Sequence, residues 1–159
     1  MLIRLAATVA GLVLAAGCAS RPPAAAPSGP DAQSEAAAAL PACGKPPSPA
    51  PDAPPGGAVI PPRTRLTAVR ENPPLAQLNG YIESTPAEVR QWVDSQEELT
   101  VEQAHATNHE SQLLVSDGEH TVFIRLSAVC DNALLLAEVI APSDEAAALP
   151  TPAGGSPAS

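Results

Sequence analysis

Three histidines are the side chains of this 159-residue chain best suited to hold a metal ion. His105 and His109 stand four apart in HATNH, with Glu110 directly after. Four residues return to one face of a helix and also to one side of a strand, and imidazole with carboxylate is a zinc-type donor set. His120 lies on the far side of a hairpin from them. The same pattern is also that of a polar, exposed strand end, and no third His or Cys adjoins the pair. His105, His109 and His120 are therefore the weaker candidates, and neither a metal site nor any other cofactor is expected. Nucleophilic chemistry has less support. Ser127 falls in mid-strand between apolar neighbours, and no G-x-S-x-G stretch occurs. Glu97 and Glu98 are adjacent, so their side chains diverge and do not form a general acid/base pair. Gly118 belongs to a hairpin and Gly154-Gly155 to the tail, which leaves no phosphate-cradling loop. The sequence thus predicts a non-enzymatic protein.

The three cysteines carry more information. Cys18 ends the stretch LAAGC, behind a start with one positive charge, Arg4, and an apolar run from Leu5 to Ala16. That run is too short for a membrane span, which needs about 20 apolar residues. Charged start, short apolar middle and small-residue exit are the layout of a secretory signal. LAAGC resembles a bacterial lipobox, with Ala15 where leucine is usual. The resemblance implies that residues 1–17 are removed and that Cys18 is acylated and becomes the first residue of the mature chain. Acyl chains contribute about 0.8 kcal/mol per buried methylene, enough when paired for stable anchoring without a spanning helix. The expected location is extracytoplasmic, lipid-anchored to the cell membrane.

Composition excludes another class. The formal net charge is -9, and the aromatics are one Trp, one Tyr and one Phe. An acidic chain repels phosphate backbones, and so few aromatics build no stacking platform for bases, so nucleic acid is not an expected partner.

The elements that would position these groups are confined to part of the chain. Residues 18–62 hold most of the 20 prolines. Proline removes a backbone donor and pushes its neighbour to extended geometry. This stretch is therefore predicted to be a Pro/Ala-rich tether, and the similarly biased residues 142–159 a disordered tail. Between them, residues 63–141 alternate β-branched and polar residues. Arg65–Glu71 and Leu75–Glu83 read as strands. Thr85, Pro86 and Glu88 form a capping box with proline at the first helical position. Val89, Trp92 and Val93 follow at helical spacing, which makes Trp92 a core residue of a helix lying on a sheet. Glu98–Thr107 reads as a strand. Asp117-Gly118 suits a type I′ hairpin turn, facing Ser116 with Glu119 and Leu113 with Val122. The second arm sets Val122, Ile124, Leu126, Ala128 and Cys130 on the buried side and Thr121, Phe123, Arg125, Ser127 and Val129 on the wet side. Asn132–Ala141 is a last strand. The expectation is an α+β fold, a small antiparallel sheet in ββαββββ order with one helix packed on one face, flanked by disordered segments.

With Cys18 lipidated, Cys43 and Cys130 remain as an even pair in an oxidising compartment, and a disulfide between them is expected. A loop of that length contributes about 4–5 kcal/mol on entropic grounds. The lipobox, the Pro/Ala stretch, one cysteine before a small domain and one late in its sheet together resemble small lipoproteins of high-GC Gram-positive bacteria. That resemblance implies location rather than chemistry. The expected function is binding or assembly at the envelope, with the membrane as partner through the anchor and another envelope protein through the sheet's open face or edge. The other reading is a small-ligand or metal-binding lipoprotein associated with transport, resting on the three histidines.

Overall fold

The computed structural model describes residues 30–154. Cys18, the signal segment and the first part of the tether lie outside them. Helix α1 spans Pro30–Ala38 and α2 spans Pro86–Asp94. The strands are β1 (Thr64–Asn72), β2 (Leu75–Ile82), β3 (Thr100–Ala106), β4 (Glu110–Ser116), β5 (His120–Cys130) and β6 (Ala133–Pro142). They form one six-stranded sheet in the order β1-β2-β6-β5-β4-β3. Every pairing is antiparallel. The fold is α+β, with the ββαββββ order read from the sequence for residues 63–141. A hairpin comes first, α2 crosses the sheet to its far edge, and a four-strand meander returns until β6 docks on β2.

Local chemistry starts α2 where its cap predicts. Thr85 sits in extended geometry, and its hydroxyl accepts from the Glu88 N–H at 3.3 Å. The Glu88 carboxylate in turn accepts from the Thr85 N–H at 2.9 Å. That backbone bond, joined by the Ser84 hydroxyl at 2.7 Å, holds the Glu88 carboxyl below its ordinary pKa. Val89 and Val93 point inward and Trp92 packs beside them. The face they cover is lined by alternate residues of the inner strands, among them Leu78, Ile124, Leu126, Leu134 and Leu136, all essentially inaccessible to water. Burying each such side chain is worth about 1.5–3 kcal/mol.

Two boundaries differ from the sequence reading. The folded unit begins well before residue 63. In α1, Ala37 is buried, and the buried Gln33 amide donates to Thr107 O at 2.6 Å and to Ser111 Oγ at 2.9 Å. Further on, Ala50 N–H donates to Leu66 O, and Val59 inserts into the main core. Prolines set an extended path but do not stop the residues between them from packing. At the other end, a 3-10 turn at Ser143–Ala148 brings Leu149 onto Leu114 and Phe123. The predicted tether and tail are thus, over residues 30–62 and 142–154, covers for the sheet.

Two details of the meander also differ. The β4–β5 register sets Leu113 against Ile124 and Val115 against Val122, not Leu113 against Val122. Asp117 is the cause. Its side chain accepts from the Glu119 and His120 N–H groups at 2.8 and 2.6 Å, which moves the turn on by one residue. Gly118 then takes the first central position with φ 91°, the type II′ arrangement in place of I′. At the other end of β5 the register shifts between Ala128 and Cys130. This bulge turns Cys130 to the second face of the sheet, where it packs with Tyr81, Ala133 and Cys43. Period-two alternation had placed it on the first face.

Candidate functional site

The cysteine pair comes together as expected. Cys43 and Cys130 form a disulfide with Cα atoms 5.1 Å apart. It ties the start of the Pro-rich segment to the end of β5, and Asp131 N–H donates to Pro41 O beside it. The Tyr81 hydroxyl lies 3.9 Å from Cys130 Sγ.

The histidines do not come together. His109 lies in the β3–β4 turn, and its carbonyl accepts from Ala128 N–H near the end of β5. His120 begins β5. At about 3.3 Å per residue, the strand between them separates the two by roughly 25 Å. His105 pairs across from Gln112, near the end of β3, on the second face. Among the described residues, the trio of metal-type ligand atoms within 4.8 Å of one another is Cys43, Cys130 and Asp131, and both its sulfurs are spent on the disulfide. His120 has another setting. Its Nδ1 lies 3.5 Å from the Asp117 carboxylate, and its ring packs flat against Gly57, where a Cβ would stand 2.5 Å from the ring. The two backbone bonds from the turn, His120's first, keep the Asp117 carboxyl below its usual range. Ser127 is on the second face, as its place in the alternation predicts, and Glu97 and Glu98 follow α2 at the surface.

The two faces of the sheet are covered differently. The first lies under α1, α2 and the segment around Val59. The second is covered in part, by the chain after β6, which also reaches Gln112 through Ala153 N–H, and by the disulfide cluster. Leu149 caps Leu114, Phe123 and Ala141 at one end, and the disulfide cluster closes the other. Thr121 and Phe123, expected on a wet side, are buried under the first of these covers. Between the covers runs an open groove of about 430 Å³ lined by Thr67, Asn79, Arg125, Ser127, Leu135 and Ala137. Leu135, 48% exposed, and Val129, 40% exposed, are the large exposed apolar side chains of the described residues, and Leu135 lines this groove. Arg125 reaches out of the groove to Glu110, with Nη2–Oε2 at 2.6 Å and Nε–Oε2 at 2.9 Å. Burial pulls the Glu110 carboxyl up. The hydrogen bonds from Arg125 and Gln112 and the Arg125 charge outweigh it and hold the group below its ordinary value. The groove thus sets the Arg125 guanidinium and the polar Thr67, Asn79 and Ser127 around the apolar Leu135 and Ala137.

One group escaped the sequence reading. Glu138 sits on the first, apolar face of β6, with 1% of its surface exposed, opposite Leu78 on β2 and Ile124 on β5. One carboxylate oxygen accepts from Val59 N–H at 3.2 Å, and the other has no partner. Burial pushes its pKa up to about 8, against the smaller pull of the Val59 bond, so the group is protonated at neutral pH. The signal was present as an acid in an apolar phase, since Leu134, Leu136, Glu138 and Ile140 alternate on one side. A lone period-two slot does not tell a strand end from a buried centre, and only the docking of β6 between β2 and β5 makes it central.

No family model matches the chain, and no curated protein or solved structure matches it either.

Proposed function

We propose that this protein is a lipid-anchored domain held outside the cytoplasmic membrane, where it binds another envelope protein along the open groove of its second sheet face. The observation that carries the reading is the Cys43–Cys130 bond. Structural disulfides form and persist in oxidising compartments, which is where a chain led by LAAGC is expected to arrive. It also leaves Cys18 as the unpaired cysteine of the three, free to carry lipid. With the fold beginning at Pro30, the link from Cys18 spans at most about 40 Å of extended chain. A partner has to lie close to the membrane surface. The exposed Leu135 and the Arg125 guanidinium line the same groove and supply an apolar and a cationic contact, a composition common at protein interfaces. The metal-carrier reading lacks a shared site, since the three histidines stand at separate places on the sheet.

Intact-mass spectrometry of the membrane fraction tests the anchor and the bond together. The expected result is a chain beginning at Cys18, heavier by its acyl groups, that gains two mass units on reduction. An intact leader with three free thiols refutes the proposal. A photo-crosslinking amino acid at position 135 tests the groove: capture of one envelope protein, lost when Arg125→Glu is added to the same chain, supports it, and crosslinking to lipid alone opposes it.

A further inference from the structure

The segment that covers Glu138 is built as a flap. Gly57–Ile60 carries neither helix nor strand. Val59 is sunk in the main core, and Ala58 and Ile60 pack against it half-buried. Among the described residues, its hydrogen bond to the sheet is that of Val59 N–H to the Glu138 carboxyl. The Ala58 N–H donates back to Pro55 within the turn that leads in. Both ends have backbone suited to pivoting or to fixing a sharp path. Gly56-Gly57 enters with φ 75° at Gly57, and Pro61-Pro62 leads out to Arg63 at φ 64°. The space beside it is open. A cavity of about 430 Å³ lies between the flap and Trp92, Gln96 and Leu99, and one of about 230 Å³ lies at its entry, between Pro55-Gly56 and His120 with the Pro73-Pro74 turn.

We propose that Gly57–Ile60 is a pH-sensitive flap, closed over the sheet while the Glu138 carboxyl is neutral and lifted when it ionises. The physical reason is asymmetric solvation. A neutral acid with one hydrogen bond is tolerable in an apolar core, whereas an ionised one is costly unless paired. Among the described residues, no cation is hydrogen-bonded or ion-paired to Glu138. Its neighbours across the sheet are Leu78 and Ile124, the flap offers Val59, and α2 offers Val89 and Val93. His120, Asp117 and Glu98 are the titratable groups beside the flap; His120 meets it at Gly57, and Asp117 and Glu98 line the neighbouring cavity. The charges of α2 are engaged elsewhere, Glu88 with Arg63 and Arg90 with Asp94. Ionised Glu138 is therefore relieved most directly by admitting water, and the layer above it with least hydrogen bonding is the flap. Lifting it joins the two flanking cavities over a floor that includes Leu78, Ile124 and Ile140, with one carboxylate at its centre.

Trp92 is the sole tryptophan and lines the cavity beside the flap, so its emission reports the movement directly. On the purified full chain, titrated from pH 6 to 9.5, we expect a shift of Trp92 emission to longer wavelength with far-UV circular dichroism unchanged, and loss of that shift in Glu138→Gln. An emission that stays constant in the wild type, the same titration in both proteins, or a parallel loss of circular dichroism overturns the proposal. If Glu138→Gln does not fold, carbon NMR of the wild-type glutamate carboxyls decides. A Glu138 midpoint coincident with the Trp92 transition supports the flap, and a Glu138 midpoint in the ordinary carboxylate range refutes it.

Discussion

Removing the disulfide by the double change Cys43→Ala and Cys130→Ala should cost a large share of the domain's stability. The bond closes a loop with a sequence separation of 87. The chain-entropy relation assigns such a loop about 4–5 kcal/mol at 25 °C, against a total stability of about 5–15 kcal/mol for a domain of this kind. An unfolding entropy of about 2.1 cal/mol/K per residue makes each kcal/mol worth about 4 °C here, so the melting temperature should fall by roughly 15–20 °C. The loss has a local signature as well. Tyr81, Ala133 and the chain around Pro41 pack on the cystine, so amides near Asp131, whose N–H bonds to Pro41, should exchange faster than those of β4 and β5 even where the sheet remains folded. The assay is calorimetry at neutral pH on the oxidised wild type, the same protein with reductant, and the double alanine variant. A fall of less than about 4 °C, equivalent to about 1 kcal/mol, would refute the reasoning, because the unfolded chain would then gain little freedom from losing the link.

Three further outcomes follow from the structure. Glu138 has a folded pKa raised from 4.5 to about 8, so between those values the folded chain holds a proton that the unfolded chain releases, and stability should fall as pH rises through that window, by up to about 5 kcal/mol; denaturant melts from pH 5 to 9 should show that slope in the wild type and not in Glu138→Leu. Thr85→Ala removes the hydroxyl that caps α2 and should cost about 1 kcal/mol in urea unfolding, with part of the acid-side dependence lost too, since the depressed Glu88 carboxyl stabilises the fold above its unfolded value and loses that contribution as pH falls. Leu149→Ala uncovers Leu114 and Phe123 and should cost about 2–3 kcal/mol; an effect within about 0.5 kcal/mol would mean that residues 143–154 are a loose tail after all.

Local and periodic features of this protein are written in its amino-acid order. The capping box of α2, the alternation along β4, β5 and β6 and the order of elements are encoded within a few residues of each other, and short-range geometry is enough to express them. Tertiary structure alone decided which residues share a place. A bulge swung Cys130 to the second face, and the Pro-rich stretch proved to carry Val59 and Gln33 into the fold. The open groove and the burial of Glu138 belong to that second group. Each depends on strands brought together from distant parts of the chain, β1, β2, β6 and β5 for the groove and β2, β6, β5 and Val59 for the acid. Periodicity states that a residue faces one side; what lies on that side is set by sheet order, which no local pattern contains.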